Sequence, residues 1–215
     1  MNTYKVDLHT HSVDSPDGSL TFTQYKRMLD QKGLDCIAIT DHNTIGFAKA
    51  AQAALGSKII VGEEVTTTEG ELIGLFLTEA VPAGLTPLET AKRIKAQGGL
   101  VYVPHPFETV RSGMPLQALD GIAKFVDIVE VRNGRAVFQN RSGLAEEWAA
   151  KHKLPGAASS DTHGWHGWGK TYTSLGHIPR KATLAKALGN ARYTIGSGGL
   201  RAVLYPKFNR LRKGR

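Results

Sequence analysis

Short runs of apolar and β-branched residues alternate along this chain with longer stretches in which apolar residues recur at helical spacing. Such alternation is typical of parallel strands joined by helical crossovers, and it predicts an α/β protein. The predicted strands span residues 5–8, 36–40, 58–61, 100–103, 128–131 and 156–159. Residues 65–77 predict a hairpin instead, because two strand-like halves flank the turn sequence Glu69-Gly70.

Capping residues mark the beginnings of two helices. Thr21 and Gln24 are three positions apart, as are Thr86 and Glu89. Each pair fits a capping box, in which two side chains bond to backbone N–H groups at the start of a helix. Pro87 also suits the first position of the second helix. The sequence therefore predicts helices that begin directly after Thr21 and Thr86.

Length and composition favour one compact domain. The chain has 215 residues, 41% of them hydrophobic, which is enough for a sizeable core. Its single cysteine, Cys36, excludes an internal disulfide framework, and its apolar neighbours predict a buried thiol rather than a nucleophile. The first residues lack the pattern of a secretory signal, and no apolar stretch is long enough to span a bilayer. We expect a soluble, cytoplasmic protein.

The formal net charge of +8 is concentrated near the C-terminus. Residues 201–215 hold 6 basic residues and no acid, which leaves 21 bases against 19 acids elsewhere. We interpret this segment as a basic C-terminal tail that follows a domain of residues 1–200. Such a tail suits contact with phosphates, as in nucleic acid, or with an anionic membrane surface, but it is more typical of a solvated charge run.

Most histidines of the chain follow predicted strands, together with several acids. In a barrel of parallel strands, residues just past the carboxyl ends converge on one face, where active sites lie. The residues placed there are His9, His11, Asp41, His42, Glu64, His105, Asp161 and His163, with Glu130 inside the strand of residues 128–131. His152, His166 and His177 fall outside the pattern, and we expect surface or packing roles for them.

Imidazole nitrogen combined with carboxylate oxygen, without thiolate, suits divalent ions such as Zn²⁺, Mn²⁺ or Fe²⁺. The spacing His9-x-His11 allows both rings to face one ion, and Asp161-x-His163 repeats that arrangement. Either tripeptide alone is weak evidence, since His and Asp are common in loops. Their joint placement at strand ends predicts a metal site.

Several short motifs resemble the polymerase and histidinol phosphatase (PHP) family. They are Val6-Asp7-Leu8-His9-Thr10-His11, Ser15-Pro16-Asp17-Gly18, Ile39-Thr40-Asp41-His42, Gly62-Glu63-Glu64, Pro104-His105-Pro106 and Ser159-Ser160-Asp161-Thr162-His163. The resemblance spans residues 5–163. It implies a distorted (β/α)7 barrel within residues 1–200, a cluster of up to three metal ions at the carboxyl ends of the strands, and hydrolysis of phosphoesters.

The resemblance also implies a set of ligands for each ion. The first ion would be held by His9, His11 and Asp161, with Glu64 bridging to a second ion that also takes His105. The third would use three further residues, which are Asp17, His42 and His163.

One position departs from the family pattern. Where relatives commonly place a histidine for the second ion, this chain has Glu71. Glu71 coordinating through oxygen would favour Mn²⁺ or Fe²⁺ over Zn²⁺, or would leave that site weak, and Glu130 is the alternative ligand. The expected number of ions is therefore two or three. Asp7 and Asp41 are expected either to orient ligands or to cap the following turns.

Metal ions lower the pKa of water and neutralise phosphate charge during in-line displacement, so no protein nucleophile is required. The general acid is left open among a ligand histidine such as His163, Asp161 and water. Arg135 is the best candidate for binding the phosphate oxygens, and Arg111 is the second. Both also fit ordinary surface charge.

The leading function hypothesis is metal-dependent hydrolysis of a phosphomonoester or short phosphodiester, such as a nucleotide or sugar phosphate. A first alternative is an exonuclease or RNA-end trimming activity that uses the basic tail. A second is a catalytically silent metal-binding interaction module, which the near-complete ligand set disfavours. Amidohydrolase chemistry shares the His-x-His element, but Glu64 and the Thr40-Asp41-His42 motif disfavour it.

Overall fold

The computed structural model describes residues 3–137 and 139–214. Its strands are β1 (Tyr4–Asp7), β2 (Cys36–Ile39), β3 (Ile59–Thr67), β4 (Gly70–Leu75), β5 (Leu100–Val103), β6 (Ile128–Asn133), β7 (Gly156–Ser159), β8 (Tyr172–Leu175) and β9 (Arg192–Thr194). Its α-helices are α1 (Phe22–Asp30), α2 (Gly46–Leu55), α3 (Pro87–Ala96), α4 (Leu116–Ile122), α5 (Ser142–Lys151), α6 (Leu184–Leu188) and α7 (Gly199–Arg212). Among these described residues, no helix has the length and hydropathy to cross a membrane.

The strands form one sheet that curls into a nearly closed barrel. Its order is β7-β6-β5-β4-β3-β2-β1-β8-β9, and β4, β8 and β9 enter through antiparallel pairs. Beyond the strand ends the barrel closes, because the N–H of Asp161 donates to the carbonyl of His9 and the N–H of His11 donates to that of Thr162, both at 2.9 Å. The predicted distorted (β/α)7 barrel is confirmed, with β1 to β7 as its seven strands.

Alternating burial along the strands explains how the barrel packs. In β2, Cys36 and Ala38 belong to a cluster of strand residues with Val6 and Ile60, which Leu184 of α6 joins. The alternate residues of the same strand, Ile37 and Ile39, pack in a second cluster with side chains of the surrounding helices. Side chains of a strand point alternately to its two faces, so this division places apolar contacts on both sides of the sheet.

The two predicted helix starts are confirmed. Thr21 caps α1 and Thr86 caps α3, each accepting a hydrogen bond from the backbone of a residue three positions later. In both cases the side chain of that later residue, Gln24 or Glu89, accepts the N–H of the cap in return. The hairpin also forms, with β3 and β4 antiparallel on either side of Glu69.

The C-terminal segment differs from the sequence expectation. We expected residues 201–215 to form a basic tail, typical of a solvated charge run, whereas residues 199–212 form α7. Its Ala202 and Asn209 are buried against the barrel, while most of its other residues are exposed or half-buried, so the helix is packed through one face. Arg215, part of the expected tail, lies outside the described residues.

Candidate metal centre

The strand ends bring the candidate ligands together. Four sets of side chains each place one donor atom per residue within 4.8 Å of one another. The sets are His9, His11 and Asp161; His9, Glu64 and His105; His11, Asp17, His42 and His163; and His42, Glu64 and Glu71. All these residues are buried except His42, whose side chain is 15% exposed. Residues up to 154 positions apart in the chain thus form one compact cluster.

A hydrogen bond on the side of the ring away from the cluster fixes the orientation of His9. Nδ1 of His9 lies 3.1 Å from Oε1 of Glu130, so a proton on Nδ1 leaves the lone pair of Nε2 directed into the cluster. There, Nε2 of His9 lies 3.1 Å from Nε2 of His11 and 3.3 Å from Oε2 of Glu64. Nitrogen and oxygen acceptors that converge at this spacing need a shared cation or proton between them.

The rings of His11 and His163 are held in the same way. Nδ1 of His11 lies 3.4 Å from Oγ of Ser15, which donates to Oδ1 of Asp17 at 2.9 Å. Nδ1 of His163 lies 3.0 Å from the carbonyl oxygen of Asp161. In both rings a proton on Nδ1 leaves Nε2 free to bind an ion. The two rings stack at a centroid distance of 4.0 Å.

Two of the candidate ligands adopt an uncommon backbone conformation. His105 has φ 27° and Asp161 has φ 50°, in the left-handed region that non-glycine residues rarely occupy. Such strain persists where the surrounding structure over-determines it, and it concentrates at functional sites. The N–H of His105 donates to Oε2 of Glu130 at 2.7 Å, which helps to hold this conformation.

The structure separates the positions of Glu71 and Glu130. Glu71 lies with the candidate ligands, its Oε1 3.5 Å from Nδ1 of His42, in the set that also contains Glu64. Glu130 belongs to none of the four sets and instead accepts hydrogen bonds from residues around them, including Tyr102 and Asn133. Of the two, only Glu71 therefore belongs to a set of candidate ligands.

Asp7 and Asp41 fasten loops rather than ligand side chains. Asp7 accepts hydrogen bonds from the N–H and Oγ of Ser160, at 3.0 and 2.6 Å, and from the indole N–H of Trp168. Asp41 accepts from the N–H and Oγ of Ser12, at 2.6 and 2.5 Å. Each carboxylate therefore holds a residue next to a candidate ligand in a loop that is distant in the sequence, and Asp7 also accepts the backbone N–H of His9 at 3.4 Å.

The charges of the cluster favour bound cations. Burial opposes a charge on His9, yet the carboxylates of Glu64 and Asp161 raise its pKa well above the ordinary value. Burial also opposes ionisation of Asp161, but Arg135 and His9 hold its pKa well below the usual range. For Glu71, burial and then the charge of Glu64 raise the pKa to about 9. The cluster is thus rich in negative charge that positive charge must balance.

Three arginines line the cavity above this cluster, which has a volume of about 230 Å³. Arg111 is engaged by acids, with Nη1 2.6 Å from Oδ2 of Asp161 and Nε 2.9 Å from Oε2 of Glu108. Arg135 places Nη1 3.2 Å from Oδ1 of Asp161, and its buried Nε has no hydrogen-bond partner among the described residues. Arg210, from α7, was not foreseen from the sequence.

The donor set fits divalent metal ions. Buried histidine nitrogens and carboxylate oxygens, with no thiolate among them, match the preferences of Mn²⁺, Fe²⁺ and Zn²⁺. The convergence of the Nε2 atoms of His9 and His11 on Oε2 of Glu64, at 3.3 and 3.2 Å, supports this fit. The fold and the site together define an α/β-barrel metalloenzyme.

Residues 7–181 of the chain match the sequence profile of the PHP domain. The chain belongs to the PHP domain family, which confirms the resemblance read from the motifs. It is accordingly an enzyme of the metal-dependent phosphoesterase class.

Several characterised and uncharacterised proteins are similar in sequence. Two uncharacterized proteins of Methanocaldococcus jannaschii are 40% and 38% identical, over 49% and 74% of this chain and 70% and 65% of their own lengths. A 5′-3′ exoribonuclease of Haemophilus influenzae is 30% identical over 58% of this chain and 46% of its own length. A phosphoribosyl 1,2-cyclic phosphate 1,2-diphosphodiesterase of Eggerthella lenta is 36% identical over 36% of this chain and 32% of its own length. The last two are therefore much longer than the part they share with this chain.

Solved structures share the fold at low sequence identity. A two-domain protein of Bacteroides vulgatus that contains a predicted PHP-like metal-dependent phosphoesterase superposes with a TM-score of 0.70 and 20% identity, covering 97% of this chain and 70% of the other. A lesion-specific endonuclease of Pyrococcus furiosus superposes with a TM-score of 0.68 and 19% identity, covering 89% and 58%. The architecture of the barrel is therefore that of PHP-type proteins.

Proposed function

We propose that this protein hydrolyses a phosphomonoester or a short phosphodiester, such as a nucleotide or sugar phosphate, with two or three divalent ions bound at its candidate metal centre. One observation carries the proposal. A single cavity is lined by members of the histidine and carboxylate sets and by Arg111, Arg135 and Arg210. Cation sites and guanidinium groups in one cavity suit a substrate with concentrated negative charge.

The ligands of the ions follow from the four sets. We propose that His9, His11 and Asp161 hold a first ion, that Glu64 bridges to a second with His105, and that Asp17, His42 and His163 hold a third. Glu71 is proposed as a further ligand beside Glu64 and His42. Ions bound there lower the pKa of water and offset the charge of the phosphate.

The residues of the chain bind and orient the phosphate. We propose that Arg135 donates to its non-bridging oxygens, because the unpaired Nε of Arg135 is a buried donor in need of an acceptor. Arg111 is already bound to Asp161 and Glu108, so its part is to hold Asp161 in place. Asp161 and His163 are proposed to touch the reacting phosphate as well as the ions.

A second candidate function is the trimming of nucleic-acid ends. It is favoured by α7, which places Pro206 and Arg210 in the wall of the cavity and carries further exposed basic residues beyond it. The names of the exoribonuclease and of the endonuclease among the similar proteins agree with it. An oligonucleotide end would then enter past α7, with its phosphates along the basic side chains.

A phosphoester panel with parallel metal analysis tests these proposals. Chelator-treated protein is reloaded with Mn²⁺, Fe²⁺ or Zn²⁺ and assayed on sugar phosphates, nucleotides, cyclic phosphodiesters and 5′-phosphorylated oligonucleotides. We expect activity that requires added metal and that disappears in the double variant His9→Ala/His11→Ala. The variant His177→Ala, which alters an exposed histidine, should retain activity.

The outcomes of the panel distinguish a hydrolase of small esters, a catalytically silent module and an enzyme that trims nucleic-acid ends. Metal-loaded protein that cleaves no substrate in the panel would contradict the hydrolase proposal, and ions bound without turnover would favour the silent module. Cleavage of oligonucleotides with a steep decrease at higher salt, but not of small esters, would favour the second function.

A further inference from the structure

Helix α7 contacts the backbone of two candidate ligands. The side-chain amide of Asn209 donates to the carbonyl oxygen of Asp17 at 2.7 Å and to that of His163 at 3.0 Å. Asn209 is only 7% exposed, although it lies in a helix with few other buried residues. Each of its two amide hydrogens therefore has a defined acceptor, one in each loop.

The two loops held in this way are far apart in the sequence. Asp17 lies between β1 and α1, and His163 follows β7. Their side chains meet, with Oδ1 of Asp17 3.4 Å from Nε2 of His163, in the set that also contains His42. The position of each donor atom thus depends on how the two loops are fixed against each other.

The end of α7 holds the first loop at further points. Nζ of Lys213 donates to the carbonyl oxygens of Val13, Ser15 and Gly18, at 2.6, 2.7 and 2.8 Å. Arg210 donates through Nη2 to Oδ2 of Asp17 at 2.9 Å. Asn209, Arg210 and Lys213, about one helical turn at the end of α7, therefore all contact the loop that carries Asp17.

A close approach of α7 to the second loop supports the same picture. The ring of Tyr205 lies directly over Gly164, so that a Cβ atom added there would be 2.5 Å from Cζ of Tyr205. Tyr205 also stacks with His166, at a centroid distance of 6.2 Å and an interplanar angle of 16°. The residue after His163 thus has no side chain where the helix packs.

We infer that α7 is part of the metal centre and that Asn209 is a positioning residue for the ion of Asp17, His42 and His163. This inference rests on the proposed function, because it requires that ions bind at the centre. It assigns a role to the segment with the strongest positive charge in the chain. The affinity of the protein for this one ion depends on the docking of α7. The affinity for the ions on the other sets does not depend on it.

The test measures ion binding to the full chain by equilibrium dialysis with Mn²⁺. Asn209→Ala removes both donors, and Asn209→Asp replaces them with an oxygen that repels the two carbonyls. Loss of an outer hydrogen-bond partner lowers metal affinity about 10- to 100-fold. We expect that decrease for one ion only. The control variants are Lys207→Ala and Phe208→Ala, on the exposed face of the same helix, and they should leave the affinity for every ion unchanged.

A double-mutant cycle separates positioning from general destabilisation. In an Asp17→Asn background that ion site is already impaired, so Asn209→Ala should cause no further loss. An equal loss in both backgrounds, or unchanged affinities in both folded Asn209 variants, would overturn the inference. Wild-type protein that binds no Mn²⁺ would overturn the metal centre itself and the inference with it.

A second variant covers the case in which the Asn209 variants do not fold. Lys213→Met keeps the length of the side chain but removes its donors to the loop of residues 13–18. This variant should weaken the binding of the same ion and leave the binding of the other ions unchanged. If Lys213→Met binds every ion as the wild type does while the Asn209 variants are unfolded, the inference is wrong.

Discussion

Glu130 accepts a hydrogen bond from Nδ1 of His9 at 3.1 Å, with neither side chain exposed to solvent. The other oxygen of Glu130 accepts the backbone N–H of His105 at 2.7 Å. One carboxylate in the barrel therefore orients two candidate ligands that are 96 positions apart in the chain. Partners of this kind fix the protonated nitrogen of a ligand histidine and raise its basicity.

The variant Glu130→Gln tests this relationship. The amide keeps the shape of the carboxylate but offers only one acceptor oxygen, so either His9 or the N–H of His105 loses its partner. We expect metal affinity to decrease about 10- to 100-fold, measured by equilibrium dialysis. The control is Glu146→Gln, which alters a partly exposed ion pair with Arg132. Unchanged metal affinity in folded Glu130→Gln would show that Glu130 has no part in the centre.

Arg135 is expected to matter for substrate binding, unlike its neighbour Arg132. Removal of a single donor to a developing phosphate charge costs about 10² to 10³ in rate, and we expect Arg135→Ala to lower kcat/KM to that extent. Arg132→Ala removes a side chain that reaches Glu146 outside the cavity, at 2.6 Å, and should have little effect. Steady-state kinetics on the best substrate of the panel provide the measurement. Similar losses in both variants would refute a specific role for Arg135.

The residue at position 71 is expected to set the metal preference. Replacing the Glu71 carboxylate with imidazole, as in Glu71→His, makes the site softer and should raise the affinity for Zn²⁺ relative to Mn²⁺. Competition dialysis with both ions measures the ratio. Glu69→His introduces the same ring into the exposed turn of the hairpin and should not change the ratio. An unaltered ratio in Glu71→His would argue that Glu71 binds no ion.

Cys36 is expected to be unreactive in the folded protein. The side chain is fully buried, and burial raises the pKa of its thiol to about 12. The thiol stays protonated at any pH well below that value, and only the thiolate is nucleophilic. A thiol reagent near pH 8 should therefore modify Cys36 only after denaturation. The variant Ser57→Cys adds an exposed thiol that should react at once. Fast modification of wild-type protein under native conditions would contradict this expectation.

The sequence was most informative where local chemistry and tertiary structure agree. The runs at residues 100–103 and 156–159 match β5 and β7 because apolar residues there are bounded by turn-forming residues. Thr21 and Thr86 marked helix starts because capping depends on residues only three positions apart. Most ligand candidates were found because parallel strands bring their carboxyl ends to one side, whereas Asp17 and Glu71 were identified only through the family resemblance.

The missed features depend on contacts that are distant in the sequence. The strands β8 and β9 are short, and β8 owes its place to pairing with β1 at the other end of the chain. Helix α7 contains Pro206, which normally opposes a helix interior, and it lacks a side-chain cap. The role of Glu130 depends on His9, which follows β1 at the other end of the domain's sequence, and no local pattern signals that pairing.

The contact between Asn209 and Asp17 joins residues 192 positions apart. During synthesis, the loop that carries Asp17 leaves the ribosome long before α7 exists. A growing chain can therefore form its barrel strands in order while one ion site still lacks its last support. In the proposed scheme, full ion loading becomes a late step of maturation, and a prematurely terminated chain would remain a poor phosphoesterase.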